Sequence, residues 1–103
     1  IIFETHAHPG GSLPWLNRAK QEGIVVKTFE ADPTSADGNF ARIAALITPR
    51  TRVLQVSHIT APTGIVLPVR ALAALAHDRG LWFHVDGAQS AGMIPVNLRE
   101  LEC

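Results

Sequence analysis

The chain has 103 residues, which corresponds to one domain or part of one. Hydrophobic residues make up 47% and charged residues 17%, a composition that excludes a disordered chain. Nine basic and nine acidic residues cancel, and the basic ones are scattered, so no nucleic-acid partner is expected. No apolar run reaches membrane-span length, so no membrane partner is expected. The single cysteine, Cys103, allows no internal disulfide, which agrees with a cytoplasmic location.

The first half of the chain alternates between strand and helix patterns. Residues 1–4 predict a strand, and residues 12–23 predict a helix with Ser12 as its N-cap. The β-branched residues 24–30 predict a second strand. The polar residues 31–38 predict a surface loop. The chain starts without Met, directly in a strand pattern, so we expect it to be a segment of a longer protein.

The second half continues the alternation. Its predicted elements are, in order, helix 39–47, strand 52–57, loop 58–64, helix 68–80, strand 81–86, a small-residue turn at 87–92 and the start of a helix at 97–101. Strands separated by helices of this length imply right-handed crossovers between parallel neighbours. The sequence therefore predicts an α/β fold with a mostly parallel sheet.

Three polar clusters follow predicted strands: THAH at 5–8, SHIT at 57–60 and HVDGAQ at 84–89. The carboxyl ends of parallel strands share one edge, where such sheets bind ligands. Asp86 ends an apolar strand, so its carboxylate needs a cationic partner or several hydrogen bonds. The plainer alternative is that Asp86 caps the turn that follows. Gln89, three residues later, offers a neutral amide in the same turn.

Three segments together resemble one known family. FHVDGAQSAGMIPVNLREL resembles the Asp-x-x-Gln segment of the class V aminotransferases, the fold-type I pyridoxal phosphate (PLP) enzymes that include cysteine desulfurases and isopenicillin N epimerase-like proteins. QVSHITAPTGIVLPVRALAALAHDRG and THAHPGGSLPWL are similar to the two preceding family segments, in the same order and spacing. The resemblance implies a three-layer α/β/α fold, of which this chain is the central part of the large PLP-binding domain.

The resemblance also implies roles for individual residues. Asp86 matches the aspartate that pairs with the protonated pyridine nitrogen of PLP, and Gln89 matches the glutamine that hydrogen-bonds its phenolic oxygen. His8 matches the aromatic position that stacks on the ring, where an imidazole also offers a nitrogen for proton transfer. His58 and Thr60 lie where they would reach the edge of the cofactor. For these last two, a role in holding their own loop stays open.

The chain departs from the family in two respects. Desulfurases of this class usually have Asn where Ala61 stands, so the sequence is more similar to the epimerase-like branch. The lysine that holds PLP as a Schiff base is expected beyond the chain, because Lys20 and Lys27 are at other positions. The N-terminal part of the large domain and the small domain are also expected outside it. We therefore expect an active full-length protein and an inactive isolated fragment.

Two alternatives compete with this interpretation. His6 and His8, with His58, His84 and Asp86 at other strand ends, offer the ligand types of a zinc hydrolase. That interpretation leaves Gln89 unexplained, and we expect no metal, with His6 supporting its loop and His84 packed beneath the helices. The other alternative is a non-catalytic α/β fragment.

The expected function is a PLP-dependent transformation of an amino acid or amine, of the transaminase, epimerase or lyase type. Enzymes that resemble this chain usually form homodimers, so a homodimer is expected for the full-length protein.

Overall fold

The computed structural model describes residues 1–103 as four strands and four helices. The elements in chain order are β1 (Ile2–Glu4), α1 (Pro9–Glu22), β2 (Lys27–Phe29), α2 (Ala36–Leu46), β3 (Val53–Ser57), α3 (Val69–Asp78), β4 (Trp82–Asp86) and α4 (Leu98–Leu101). No helix is both long enough and apolar enough to cross a membrane. The alternation of strands and helices confirms the predicted α/β fold.

The four strands form one parallel sheet in the order β2-β1-β3-β4. The chain moves outward from β1 to β2 in one direction and from β3 to β4 in the other. Right-handed crossovers therefore place α1 on one face of the sheet and α2 and α3 on the other. This arrangement is the predicted three-layer fold, and it puts a topological switch point between β1 and β3.

The apolar core lies between the sheet and the helices α2 and α3. Leu54 and Val56 of β3 are fully buried there, together with Ile43 of α2 and Leu72 and Ala76 of α3. Alternation along β3 turns the intervening Gln55 toward α1, whose Trp15 it contacts. Helix α1 has no fully buried residue of its own.

Two predicted helix starts were wrong. Helix α1 begins at Pro9 rather than after Ser12, because the His8 side chain caps it and proline suits its first position. Helix α2 begins at Ala36, inside the stretch predicted as a loop. Ser35 caps it by accepting a hydrogen bond from the Gly38 N–H at 2.8 Å.

Strand β2 is also shorter than predicted. Residues 24–30 have a strand pattern, but only Lys27–Phe29 pair. The only partner of this edge strand is β1, which has three residues, so the preceding residues have no ladder to join.

Candidate functional site at the carboxyl edge of the sheet

The carboxyl ends of β1, β3 and β4 are held together by contacts that cross between strands. The carboxylate of Glu4, at the end of β1, is fully buried, and its Oε1 accepts a hydrogen bond from the Ser57 N–H at 2.9 Å. The His58 N–H in turn donates to the Asp86 carbonyl at 2.9 Å. The residues that follow these strands therefore share one edge, as the sequence predicts.

His8 is the N-cap of α1 and is exposed at this edge. Its Nδ1 accepts a hydrogen bond from the Gly10 N–H at 3.1 Å. Because that nitrogen acts as an acceptor, the neutral ring carries its proton on Nε2. The cap therefore fixes the orientation of the imidazole and leaves an N–H donor free.

Asp86 is the last residue of β4 and is half-buried. Its Oδ1 accepts a hydrogen bond from the Ala88 N–H at 3.0 Å, so the carboxylate does cap the following turn. Its Oδ2 accepts no hydrogen bond and lies on the side of α1. A Cβ atom added at Gly11 would lie 3.9 Å from it. The carboxylate thus supports its own turn and keeps one oxygen available beneath the first turn of α1.

Gln89 lies in the turn that Asp86 caps, and its exposed side chain makes no hydrogen bond. The next residue, Ser90, is buried and donates to the Gly87 carbonyl at 3.2 Å. The turn is therefore closed by its own backbone and serine, and the glutamine amide is left free.

His58 and Thr60 are both buried in the loop after β3. The Thr60 hydroxyl is 2.6 Å from that of Thr63 and accepts a hydrogen bond from the Ile65 N–H at 2.9 Å. The backbone of His58 bonds to Asp86 and, through its carbonyl, to the N–H of Leu67. These contacts make both residues part of the scaffold that holds the loop against β4.

His84 is not buried beneath a helix, so that prediction was wrong. Its side chain is exposed, so no helix covers this part of β4. Its Nδ1 lies 3.1 Å from Oε1 of Gln55, the neighbouring residue in the sheet. The alternation of residues along β4 predicted the face of His84 correctly but did not show how much of that face is covered.

Sequence reasoning missed two polar residues of this region. Gln55 interrupts an apolar strand, and Glu4 ends one, and both are buried. In each case, the polar residue within an otherwise apolar strand was the sequence signal that could have predicted a buried polar contact. Oε2 of Glu4 and Nδ1 of His6 are buried without a hydrogen-bond partner.

The metal alternative lacks a ligand set in this structure. No three His, Cys, Asp or Glu side chains lie close enough together to hold one ion. The Nδ1 atom of His8 is occupied by the backbone, and that of His6 is buried. A zinc site needs at least three protein ligands around the metal, and these histidines do not supply them.

The carboxyl edge of this parallel sheet thus presents a carboxylate with one unbonded oxygen, an oriented imidazole and a free amide, and this is the edge at which open α/β sheets bind ligands. The profile of the Aminotransferase class-V family matches residues 1–103, which is the whole chain. The chain therefore belongs to the class V aminotransferase family.

Individual relatives agree with this assignment. An isopenicillin N epimerase from Amycolatopsis lactamdurans is 38% identical over 92 residues, covering 86% of this chain and 23% of the relative. The crystal structure of the cysteine desulfurase CsdA from Escherichia coli superposes with a TM-score of 0.86 at 29% identity, covering 98% of this chain and 25% of that one.

A third relative is a variant of the cystine C-S lyase C-DES with glycine covalently linked to its PLP cofactor. It superposes with a TM-score of 0.84 at 30% identity, covering 98% of this chain and 28% of that one. The present chain spans about a quarter of the length of the curated relatives it matches.

Proposed function

We propose that these residues form one wall of a PLP site in a protein that transforms an amino acid or amine. Family membership and the PLP-bound relative support the cofactor. The observation that carries the proposal is the free Oδ2 of Asp86, which lies beneath the glycine-rich first turn of α1. When bound, PLP supplies an electron sink for the negative charge that develops at the substrate carbon.

The residues present fit this cofactor. In our proposal, Oδ2 of Asp86 accepts a hydrogen bond from the pyridine nitrogen and stabilises the proton there, since an anionic partner favours the protonated ring. The Ala88 N–H holds the other oxygen, so the carboxylate cannot rotate away freely. The absence of a side chain at Gly11 leaves space beside Oδ2.

His8 and Gln89 complete the proposed wall. The exposed imidazole of His8 would stack on the face of the cofactor ring, with its orientation set by the hydrogen bond from the Gly10 N–H. Its Nε2–H would then be available as a hydrogen-bond donor. The free amide of Gln89 donates to the phenolic oxygen, a role that its exposure and lack of other partners allow.

His58 and Thr60 contribute to the proposed site by holding the loop. The Thr60 hydroxyl already has two partners within its own turn, so cofactor contact requires that hydroxyl to be shared. The His58 N–H fixes the Asp86 carbonyl and with it the end of β4. We therefore assign the pair a supporting role beside the three residues that face the cofactor.

The remainder of the site belongs to the part of the protein outside these residues. We propose that the chain is the central part of a large PLP-binding domain, and that the full-length protein supplies the Schiff-base lysine and a small domain and forms a homodimer. Ala61 is exposed and has no side-chain donor. This favours the epimerase-like branch, as does the epimerase relative.

Substitution of Asp86 tests the proposal. In the full-length protein, we expect Asp86→Ala to lower turnover of its amino acid or amine substrate by roughly 100-fold or more, because a charge that stabilises the reacting state is lost. PLP should still bind, as judged by visible absorption. The matched control is Asp78→Ala, which removes an exposed aspartate at the end of α3. Equal turnover in the two variants would contradict the role of Asp86.

A further inference from the structure

Gln55 makes a buried polar junction between the sheet and α1. It is 2% exposed, although it lies in the middle of the otherwise apolar strand β3. Its Nε2 donates to the Gly11 carbonyl at 3.1 Å, and its Oε1 accepts from the Trp15 indole N–H at 2.8 Å. One side chain therefore holds both the first and the second turn of α1.

The partners determine how the amide is oriented. An indole nitrogen can only donate and a carbonyl can only accept, so Oε1 must face Trp15 and Nε2 must face Gly11. Because Oε1 only accepts, the 3.1 Å contact with His84 requires a proton on the Nδ1 of that histidine. Every hydrogen bond of the junction thus has a defined direction, and none can be reversed.

The junction lies between the two sides of the candidate site. Gly11 follows the His8 cap by three residues, and His84 precedes Asp86 by two on the same face of β4. A Cβ atom added at Gly11 would lie 2.9 Å from Nε2 of Gln55, so a larger residue here would force the amide to shift from its present position. Helix α1 contributes no fully buried residue of its own to this contact, so the amide of Gln55 is a main polar attachment of the helix to the sheet.

We propose that Gln55 is a positioning residue that sets the separation between the imidazole of His8 and the carboxylate of Asp86. It does so by holding the first turn of α1 on β3, while His84 links the same amide to β4. The inference rests on the proposed function, since the gap is the place where the flat cofactor ring would lie. Gln55 itself touches neither the cofactor nor the reacting atoms in this proposal.

The test uses the full-length protein loaded with PLP and two substitutions of Gln55. Gln55→Leu removes all three contacts. Gln55→Glu keeps the acceptor for Trp15 and His84 but puts an oxygen against the Gly11 carbonyl. We expect both variants to weaken the visible circular dichroism of the bound cofactor and to lower kcat roughly 10- to 100-fold, because small displacements of reacting groups have effects of this size.

The matched controls are Gln21→Leu and Gln21→Glu, which make the same changes at an exposed position of α1. Trp15→Phe removes the indole N–H together with part of the ring and leaves the Gln55 contacts with Gly11 and His84 in place. It guards against failure of Gln55→Leu to fold and should shift both readouts in the same direction by less. Folded Gln55 variants whose cofactor band and kcat match the Gln21 variants would overturn the proposal, even if they were less stable. If the Gln55 variants behaved in this way while Asp86→Ala lost turnover, only the role of Gln55 would be wrong and the proposed function would still hold.

Discussion

The two faces of the sheet are held by different kinds of interaction. On the α2 and α3 face, Leu54, Ile43 and Leu72 are completely buried against one another. On the α1 face, the helix has no fully buried residue, and the side chains of Gln55 and Trp15 attach it to the sheet. The α2 and α3 face is stabilised by extensive apolar burial, whereas on the α1 face, where Phe3 is also buried, directional hydrogen bonds contribute to the attachment of the helix.

This difference bears on function because the proposed cofactor residues lie on the hydrogen-bonded side. His8 caps α1, and Oδ2 of Asp86 lies beneath its first turn. Apolar packing is not directional, whereas a hydrogen bond specifies the distance and angle between two atoms. A site that must hold two groups at a set separation is therefore well placed beside a helix that is attached by hydrogen bonds.

The two faces of the sheet should differ most in how much stability is lost when a leucine side chain is truncated. Leu72→Ala, on α3, should lower the free energy of unfolding by about 2–5 kcal/mol, because it leaves a cavity in a closely packed core. Leu13→Ala, on α1, should change it by no more than about 0.5 kcal/mol, since Leu13 is 51% exposed. Urea denaturation measures both. Equal losses in the two variants would show that α1 is also held by apolar burial.

A smaller effect should distinguish a serine that caps a helix from a serine inside one. Ser35→Ala should destabilise the protein by about 1 kcal/mol, because its side chain accepts a hydrogen bond from the Gly38 N–H at the start of α2. Ser12→Ala should change stability by about 0.5 kcal/mol or less, because Ser12 lies within α1 and only donates to the His8 carbonyl at 3.3 Å.

The same urea denaturation experiment decides this second comparison. A cap-sized loss in Ser12→Ala would mean that α1 starts after Ser12, as its sequence suggests. In that case His8 would not be the cap, and the orientation of its ring would have to be set by other contacts.

The order of elements could be predicted because local patterns determine it. Strand β4 was predicted as residues 81–86 and found at Trp82–Asp86, and α3 was predicted as 68–80 and found at Val69–Asp78. In each case the apolar period and the flanking proline or glycine agree. The start of α1 was missed because Pro-Gly-Gly is typical of a turn, whereas here a histidine side chain caps the helix.

The site could be predicted in part. That His8 and Asp86 lie at the same edge of the sheet follows from the rule that parallel strands end at one edge. Gln55 was missed because its partners are distant in the chain: Trp15 is 40 residues away and Gly11 is 44. Glu4 and Ser57 are 53 residues apart. No local pattern specifies which buried polar atoms will meet across such distances.

The smallest expected effect concerns Asp32, in the loop that leads into α2 on the apolar face. The Thr34 hydroxyl and N–H donate to its Oδ1 at 2.6 and 2.8 Å, and Arg42 pairs with its Oδ2 at 3.1 Å. The Thr34 hydroxyl, the Thr34 N–H and then Arg42 hold the pKa of Asp32 below its usual value of about 4.

A carboxyl group whose pKa is lowered by folding stabilises the folded protein fully at pH values above its unfolded-state pKa. This stabilisation is lost as the pH falls through the folded-state pKa. Asp32→Asn should therefore lower the urea midpoint at pH 7, and the difference from the original protein should shrink below about pH 4. A difference that stayed constant down to pH 2 would show that the ionised carboxylate does not stabilise this loop.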